Sequence, residues 1–351
     1  MDYLELKPGY RISRVIRGNW QLASGHGTTT DVSQAVDALI GAADAGITTF
    51  DCADIYSGVE EIIGAFRETY RDLRGSEALE RLRVHTKCVP DLTILDRITR
   101  QDVEATIDRS LRRLRVECLD LVQFHWWDVD IPGWQDVALW LEEMRRAGKI
   151  NALGLTNFDS KRTEELCMLG LPLLTAQIQY SLLDDRPAHG LAQTARSHDF
   201  HLLCYGTNAG GFLSDRWLGR TEPTGDLENR SLVKYKLIID DRGGWEPFQG
   251  LLATLRGIAD RHATDIATIA SRAMLDCPRV AAVIVGARNK AHTKSNAAIC
   301  DIQLSRDDHA EIDAATTDMP RLEGDVFELE RDRHGRHGAI MKYNLNDPVD
   351  G

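Results

Sequence analysis

Eight short β-branched or apolar runs, each followed by a longer stretch with helical periodicity, limit most strongly what this chain can fold into. The runs cover residues 14–16, 47–50, 84–87, 118–124, 152–155, 175–178, 201–205 and 280–284. Several are apolar almost throughout, as in Val280, Ala281, Ala282, Val283 and Ile284, which suits strands of a parallel sheet buried on both faces. The helical stretches lie at 31–45, 59–71, 100–114, 134–147, 160–169, 190–198, 248–262 and 290–298. Within the third, Val103, Ile107, Leu111 and Leu114 form one apolar stripe. Thr30 and Asp31 offer a cap to the first, and Gly46 ends it. Eight β-then-α units with no strong linker between them favour a closed α/β (β/α)8 TIM barrel over an open doubly wound sheet.

The chain has 351 residues, which length alone leaves between one large domain and two ordinary ones. The unit count places a single barrel domain over 1–320. Residues 211–244, polar and carrying Pro223, Gly225, Gly243 and Gly244, read as a long covering loop, and 265–277 as an extra helix. A last helix is expected at 306–317. The extension 321–351 reads either as a partly ordered tail or as an active-site flap over the barrel mouth.

With 42 basic and 54 acidic side chains the formal charge is −12, which argues against nucleic acid or an anionic membrane as the main partner. No apolar run approaches the ~20 residues that span a bilayer, and residues 1–10 lack an apolar signal core. A cytoplasmic protein without membrane insertion is expected. Cys52, Cys88, Cys118, Cys167, Cys204, Cys277 and Cys300 are odd in number, widely spread and without a Cys-x-x-Cys pair, so they read as reduced core residues. No cluster has metal-ligand spacing.

In a barrel of this kind the chemistry sits at the carboxyl ends of the strands. The second, third and fourth runs end in Asp51, Lys87 and His125, and Tyr56 follows Asp51 by five residues. Taken singly, each has an ordinary explanation: a packing tyrosine, a solvated lysine, a capping aspartate, a core histidine. Together on adjacent strand ends they form an acid–base set. A phenol is a poor proton donor or acceptor at neutral pH, and an adjacent ammonium favours the phenolate. Lys87 supplies that charge, Asp51 keeps Lys87 charged, and His125 is placed to hydrogen-bond a substrate oxygen.

The segment Phe50, Asp51, Cys52, Ala53, Asp54, Ile55, Tyr56, followed by Glu60, Glu61, Ile62, Ile63 and Gly64, resembles the Asp–Tyr motif of the aldo-keto reductase superfamily. His85 to Lys87 and Gln123 to Trp126 resemble its Lys and His segments, and 154–158, 177–181 and 285–289 complete the likeness, closest in style to the bacterial, fungal and potassium-channel β-subunit-like branches. The resemblance implies a barrel that binds NADP(H), with NAD(H) left open, and reduces aldehydes or ketones through Asp51, Tyr56, Lys87 and His125. It implies cofactor contacts at Gly18, Thr156, Asn157, Gln179, Tyr205, Gly206, Thr207, Asn208, Gly210, Gly211, Phe212, Leu213, Gly286, Ala287, Arg288, His292 and Asn296. Where many members carry an Arg and then a Glu-Asn pair at the adenosine end, this chain has His292, Ser295 and Asn296, so Arg288 becomes the candidate for a 2′-phosphate. Cys52 and Cys88 alternate with Asp51 and Lys87 and are expected to point outward under the helices.

Trp20, Trp126 and Trp127 cluster near the rim as candidate walls of a substrate site, with at least one of them expected to be packing. The partner is a small carbonyl or alcohol whose identity the sequence leaves open, as it does the oligomeric state. Two other readings use the same barrel: a nucleotide-binding regulatory β-subunit-like protein, and a non-redox sugar dehydratase or epimerase.

Overall fold

Strand pairing closes on itself. In a computed structural model describing residues 1–23, 31–287 and 290–346, eight parallel strands follow one another round a barrel: β3 (Val15–Gly18), β4 (Thr49–Asp51), β5 (Arg83–Cys88), β6 (Leu121–Phe124), β7 (Leu153–Thr156), β8 (Leu173–Gln179), β9 (His201–Tyr205) and β10 (Val280–Gly286), with β10 paired back to β3. Each of the eight runs read from sequence overlaps one of them. Residues 118–120 add only an isolated bridge, Leu119 to Ile150, rather than lengthening β6.

Two strands were not foreseen. Tyr3–Lys7 (β1) and Tyr10–Ser13 (β2) form an antiparallel hairpin. Its Leu6, Tyr10 and Ile12 pack with Ile16, Leu121, Leu203 and Ile284 and plug the floor of the barrel. Glu5, Lys7 and Arg11 dilute the apolar pattern there, because one face of the hairpin looks outward.

Around the barrel run α1 (Val32–Asp44), α2 (Val59–Arg74), α3 (Ser76–Glu80), α4 (Arg100–Leu114), α5 (Trp134–Arg146), α6 (Ser160–Met168), α7 (Leu191–Ser197), α8 (Arg230–Asp241), α9 (Trp245–Arg261), α10 (Ile266–Leu275), α11 (Lys290–Ala298), α12 (Arg306–Thr317) and α13 (Glu328–Arg331). Asp31 caps α1 by accepting from the backbone N–H of Ser33 and Gln34. Thr30 lies outside the described residues. On α4, Val103, Ile107 and Leu114 are buried and Leu111 lies at the edge of the stripe.

The stretch 211–244 is corrected: its residues 230–241 are α8, whose Leu232, Tyr235, Ile238 and Ile239 are buried in a second core with Phe212, Leu213 and the apolar faces of α9 and α10. The glycines and proline on either side mark its boundaries rather than a continuous loop. The cysteines also divide. Cys52, Cys88, Cys204 and Cys300 are buried, whereas Cys118 is exposed and Cys167 and Cys277 are half-buried, so these three are not core residues. Among the described residues no helix is long and apolar enough to cross a membrane.

Candidate active site

Asp51 closes β4 and Lys87 lies one residue from the end of β5, both facing the barrel axis. Lys87 Nζ donates to Asp51 Oδ1 at 2.9 Å, Asp51 Oδ2 at 2.8 Å and the Cys52 carbonyl at 2.8 Å. Gln177 Nε2 donates to Asp51 Oδ1 at 2.6 Å and Gln123 Nε2 at 3.4 Å, so the carboxylate is saturated by donors. Burial opposes the Lys87 charge, but Asp51 outweighs it and holds the ammonium above its ordinary pKa.

Lys87 Nζ lies 5.0 Å from the centre of the Tyr56 ring. Tyr56 sits in the turn between β4 and α2, its N–H bonded to the Ala53 carbonyl at 3.1 Å and its ring edge-on to Trp20 at 4.7 Å. The expected pull toward phenolate does not win. Burial pushes Tyr56 up to about 12, with Lys87 opposing and Asp51 adding to the rise, so the resting group is a neutral phenol.

His125 follows β6 and is buried. Its Nδ1 is 3.0 Å from the Thr156 carbonyl, which can only accept, so Nδ1 carries the proton. Burial pushes His125 down to about 3, assisted by Arg331 and Lys87. The ring is therefore neutral at physiological pH, and Nε2, buried without a hydrogen-bond partner, is an acceptor. Trp127 and Phe327 meet the imidazole edge-on at 4.4 and 5.5 Å.

Of the residues expected at the cofactor, Asn157, in a left-handed conformation just after β7, accepts through Oδ1 from the Tyr205 hydroxyl at 2.8 Å. Gln179 ends β8, donates from Nε2 to Asp184 at 2.7 Å, and leaves Oε1 buried without a partner. After β9, Gly206, Ala209, Gly210 and Gly211 all have positive φ, a left-handed run that turns the backbone tightly. Gly206 and Gly210 must be glycine for a second reason, because a Cβ would fall 2.2 Å from the Tyr235 hydroxyl at the first and 2.7 Å from the Tyr235 ring at the second. Gly18 pairs in register with Asp51, and Asn208 accepts from the N–H of Gly211 and Leu213. Asn296 donates to the Gly286 carbonyl at 3.0 Å, next to the half-buried Ala287, while His292 is exposed. Arg288 lies outside the described residues.

The side chains of four expected residues are turned away from the mouth. Phe212 and Leu213 are fully buried in the second core, Phe212 packing on Trp217 at 4.8 Å, so a ligand at this loop would meet their backbone and not their side chains. Thr207 is buried and its hydroxyl is spent on Ser271 at 2.9 Å. Trp126 is fully buried among Phe124, Phe158 and Trp134, its indole N–H bonded to the Ile131 carbonyl, which leaves Trp20 and Trp127 at the mouth. Strand phase sorts the two neighbours: Trp126 is in phase with outward-facing Phe124, and Trp127 with His125. The same phase would have found Gln123 and Gln177.

The sequence offered 321–351 as either a tail or a flap but singled out none of the residues that the structure sets against the mouth. Phe327, in a left-handed conformation, is buried against His125, and Tyr343 meets Trp127 edge-on at 5.3 Å. Arg331 donates to the Asn157 carbonyl at 2.6 Å. Glu330, 1% exposed, is within 3.5 Å of Arg186 and 3.3 Å of Lys234, and Lys234 in turn lies 5.4 Å from the Tyr205 ring centre. Asp325 accepts from the Ser160 N–H and hydroxyl, at 2.8 and 3.0 Å.

A closed parallel (β/α)8 barrel with a buried Asp–Lys pair, a tyrosine and a histidine at its carboxyl rim defines a class of oxidoreductase barrels. The profile of the Aldo/keto reductase family matches residues 14–317, and the chain belongs to that family. An aldo-keto reductase of Bacillus subtilis is 24% identical over 319 residues, 89% of this chain and 92% of that protein. The NADH-specific methylglyoxal reductase of Escherichia coli is 24% identical, covering 84% of this chain and 91% of its own. Flagellar radial spoke protein 5 of Chlamydomonas reinhardtii is 26% identical over 69% of this chain, which spans only 56% of it. Among solved structures, a thermostable aldo-keto reductase in complex with the inhibitor epalrestat superposes with a TM-score of 0.70 over 90% of this chain and 100% of that one, at 24% identity, a likeness of fold.

Proposed function

We propose that the protein is an NADP(H)-dependent reductase of aldehydes or ketones in which Tyr56 protonates the carbonyl oxygen. The observation that carries this is the saturated Asp51–Lys87 pair beside a neutral phenol at the mouth of a barrel of this family. The residues present fit a nicotinamide dinucleotide: Gln179 Oε1 is buried without a partner, Tyr205 offers a ring, and the left-handed turn at 206–211 makes a concave backbone. When bound, the cofactor supplies the hydride.

The chain's own residues do the rest. Tyr56 donates through its hydroxyl to the substrate oxygen, and Lys87, held charged by Asp51, stabilises the phenolate left behind. With its proton on Nδ1, His125 accepts at Nε2 from the hydroxyl of the alcohol formed. Asn157 and Gln179 orient the carboxamide, and Trp20, Trp127 and Phe327 wall off the carbonyl, with residues 321–346 as the lid. Arg288 takes the 2′-phosphate. The unpaired cysteines suit a reducing cytoplasm.

Oxidation of NADPH and of NADH, followed over aromatic and aliphatic aldehydes, aldoses and cyclic ketones, tests the reading. Turnover on one class with NADPH is expected; a flat response across the panel refutes it. Arg288→Ala should raise the KM for NADPH far more than that for NADH.

A further inference from the structure

Beneath the Asp51–Lys87 pair the barrel interior stays polar down to an apolar floor. Strand alternation turns His85, Gln123, Thr175 and His201 inward with Asp51 and Lys87. Register sets them side by side round the barrel: Asp51 pairs with His85, Lys87 with Gln123, Gln123 with Gly154, Gly154 with Thr175, and Thr175 with His201. Each of the four carries buried polar atoms without a hydrogen-bond partner: both ring nitrogens of His85, Gln123 Oε1, Thr175 Oγ1 and His201 Nδ1. His85, Gln123 and Thr175 are themselves 0% exposed.

The absence of a side chain at Gly154 matters here. A Cβ at that position would lie 2.4 Å from Thr175 Oγ1 and 3.4 Å from Gln123 Cγ, so these two side chains pack directly over the glycine and are brought close to one another by it. Toward the floor, Tyr10 stacks on His85 at 6.2 Å, and its hydroxyl too is buried and without a partner. The Tyr10 ring in turn lies 5.3 Å from the Arg83 guanidinium and 5.7 Å from the Lys7 ammonium.

Isolated buried polar atoms are costly, and a contiguous set facing one space is what internal water satisfies, since each water takes two to four polar partners. We propose that His85, Gln123 and Thr175 enclose internal water that links the Asp51–Lys87 pair, past Tyr10, to the barrel floor and replaces the proton that Tyr56 gives up. The relay rests on the carbonyl-reducing function above; the water does not. The Tyr56 O–H bond breaks as its proton goes to the substrate oxygen, and the phenolate then takes a proton from Lys87 Nζ. The Lys87 amine takes one from the adjoining water, and one proton entering from solvent at the floor restores that water. Each link breaks one O–H or N–H bond and forms one. Burial pushes His85 down to about 3, so its ring is neutral and both donates and accepts.

A high-resolution crystal structure of the full chain tests the water. Density within hydrogen-bond reach of a His85 ring nitrogen and of Gln123 Oε1 or Thr175 Oγ1 is expected; a dry ring, or side chains bonded directly to one another, overturns the proposal. Thr175→Val, which removes the hydroxyl at nearly constant volume, and His85→Phe test the relay, the first serving if the second does not fold. Each should lower kcat about tenfold and raise the solvent deuterium isotope effect on kcat, with carbonyl KM and cofactor Kd unchanged. Unchanged kcat and isotope effect in a variant whose water is gone overturns the relay. If the wild type reduces no carbonyl, the relay falls with the functional reading, and the density still decides the water.

Discussion

Replacing Glu330 with glutamine should release the C-terminal segment from the barrel mouth without unfolding the barrel. Arg186 would keep its two bonds to Asp184, at 2.9 and 2.8 Å, so the residue left unpaired is Lys234, which has no other carboxylate in ion-pair range among the described residues. Removing one partner of a buried pair costs about 3–5 kcal/mol. Lys234 retains some exposure and lies near the Tyr205, Tyr235 and Phe327 rings, at 5.4, 6.0 and 5.6 Å, which argues for the low end of that range, about 3 kcal/mol. Because residues 321–346 can lift off before the barrel melts, that energy appears as a roughly 100-fold rise in the open population. Amide hydrogen exchange reads this directly: faster exchange confined to 321–346, with β5 and β8 unchanged. Burial works against the Glu330 charge, but Lys234 and Arg186 hold it at about 2, below the ordinary 4.5. A depressed carboxylate contributes stability above its unfolded pKa and loses it as pH falls through the folded one, so wild-type protection of this segment should fade from about pH 4.5 toward pH 2. Glu330→Gln should lack that dependence. Exchange accelerated equally in the strands, or unchanged everywhere, would refute the reasoning.

Four further substitutions test separate parts of the structure. Trp126→Phe should lower stability by about 1–2 kcal/mol in denaturant titration while leaving carbonyl KM alone, whereas Trp127→Phe should shift that KM several-fold. Gly64→Ala places a Cβ 2.3 Å from the Arg113 carbonyl where α2 crosses the end of α4, and thermal melting should show a loss of about 3 kcal/mol. Gly257→Ala, exposed in α9 with nothing within 4 Å, should instead stabilise by about 0.4–1 kcal/mol.

The barrel was legible because strands buried on both faces read as continuous apolar runs; the boundaries of β9 fall where His201 and Tyr205 place them. The placement of Asp51, Tyr56, Lys87 and His125 on one rim was legible because each lies at or shortly past the end of a strand. Hidden features share a physical cause. Helix α8 lies between breakers that dominate a local reading, and the β1–β2 hairpin alternates a buried and a solvated face over only a few residues. The mouth cover depends on pairings such as Glu330 with Arg186, 144 positions apart, and on a left-handed Phe327, neither of which any local pattern announces. The Tyr56 phenol ran against expectation because the cost of burying a charge depends on how the fold encloses the ring, while the partner's charge alone is visible in sequence.

The central claim is that the Tyr56 hydroxyl, poised by Lys87, delivers the proton. Turnover and cofactor affinity of Tyr56→Phe, the latter by fluorescence titration, test it most directly. A fall in kcat of about 10²–10⁴ with cofactor Kd nearly unchanged is predicted; activity within about tenfold of wild type would contradict it.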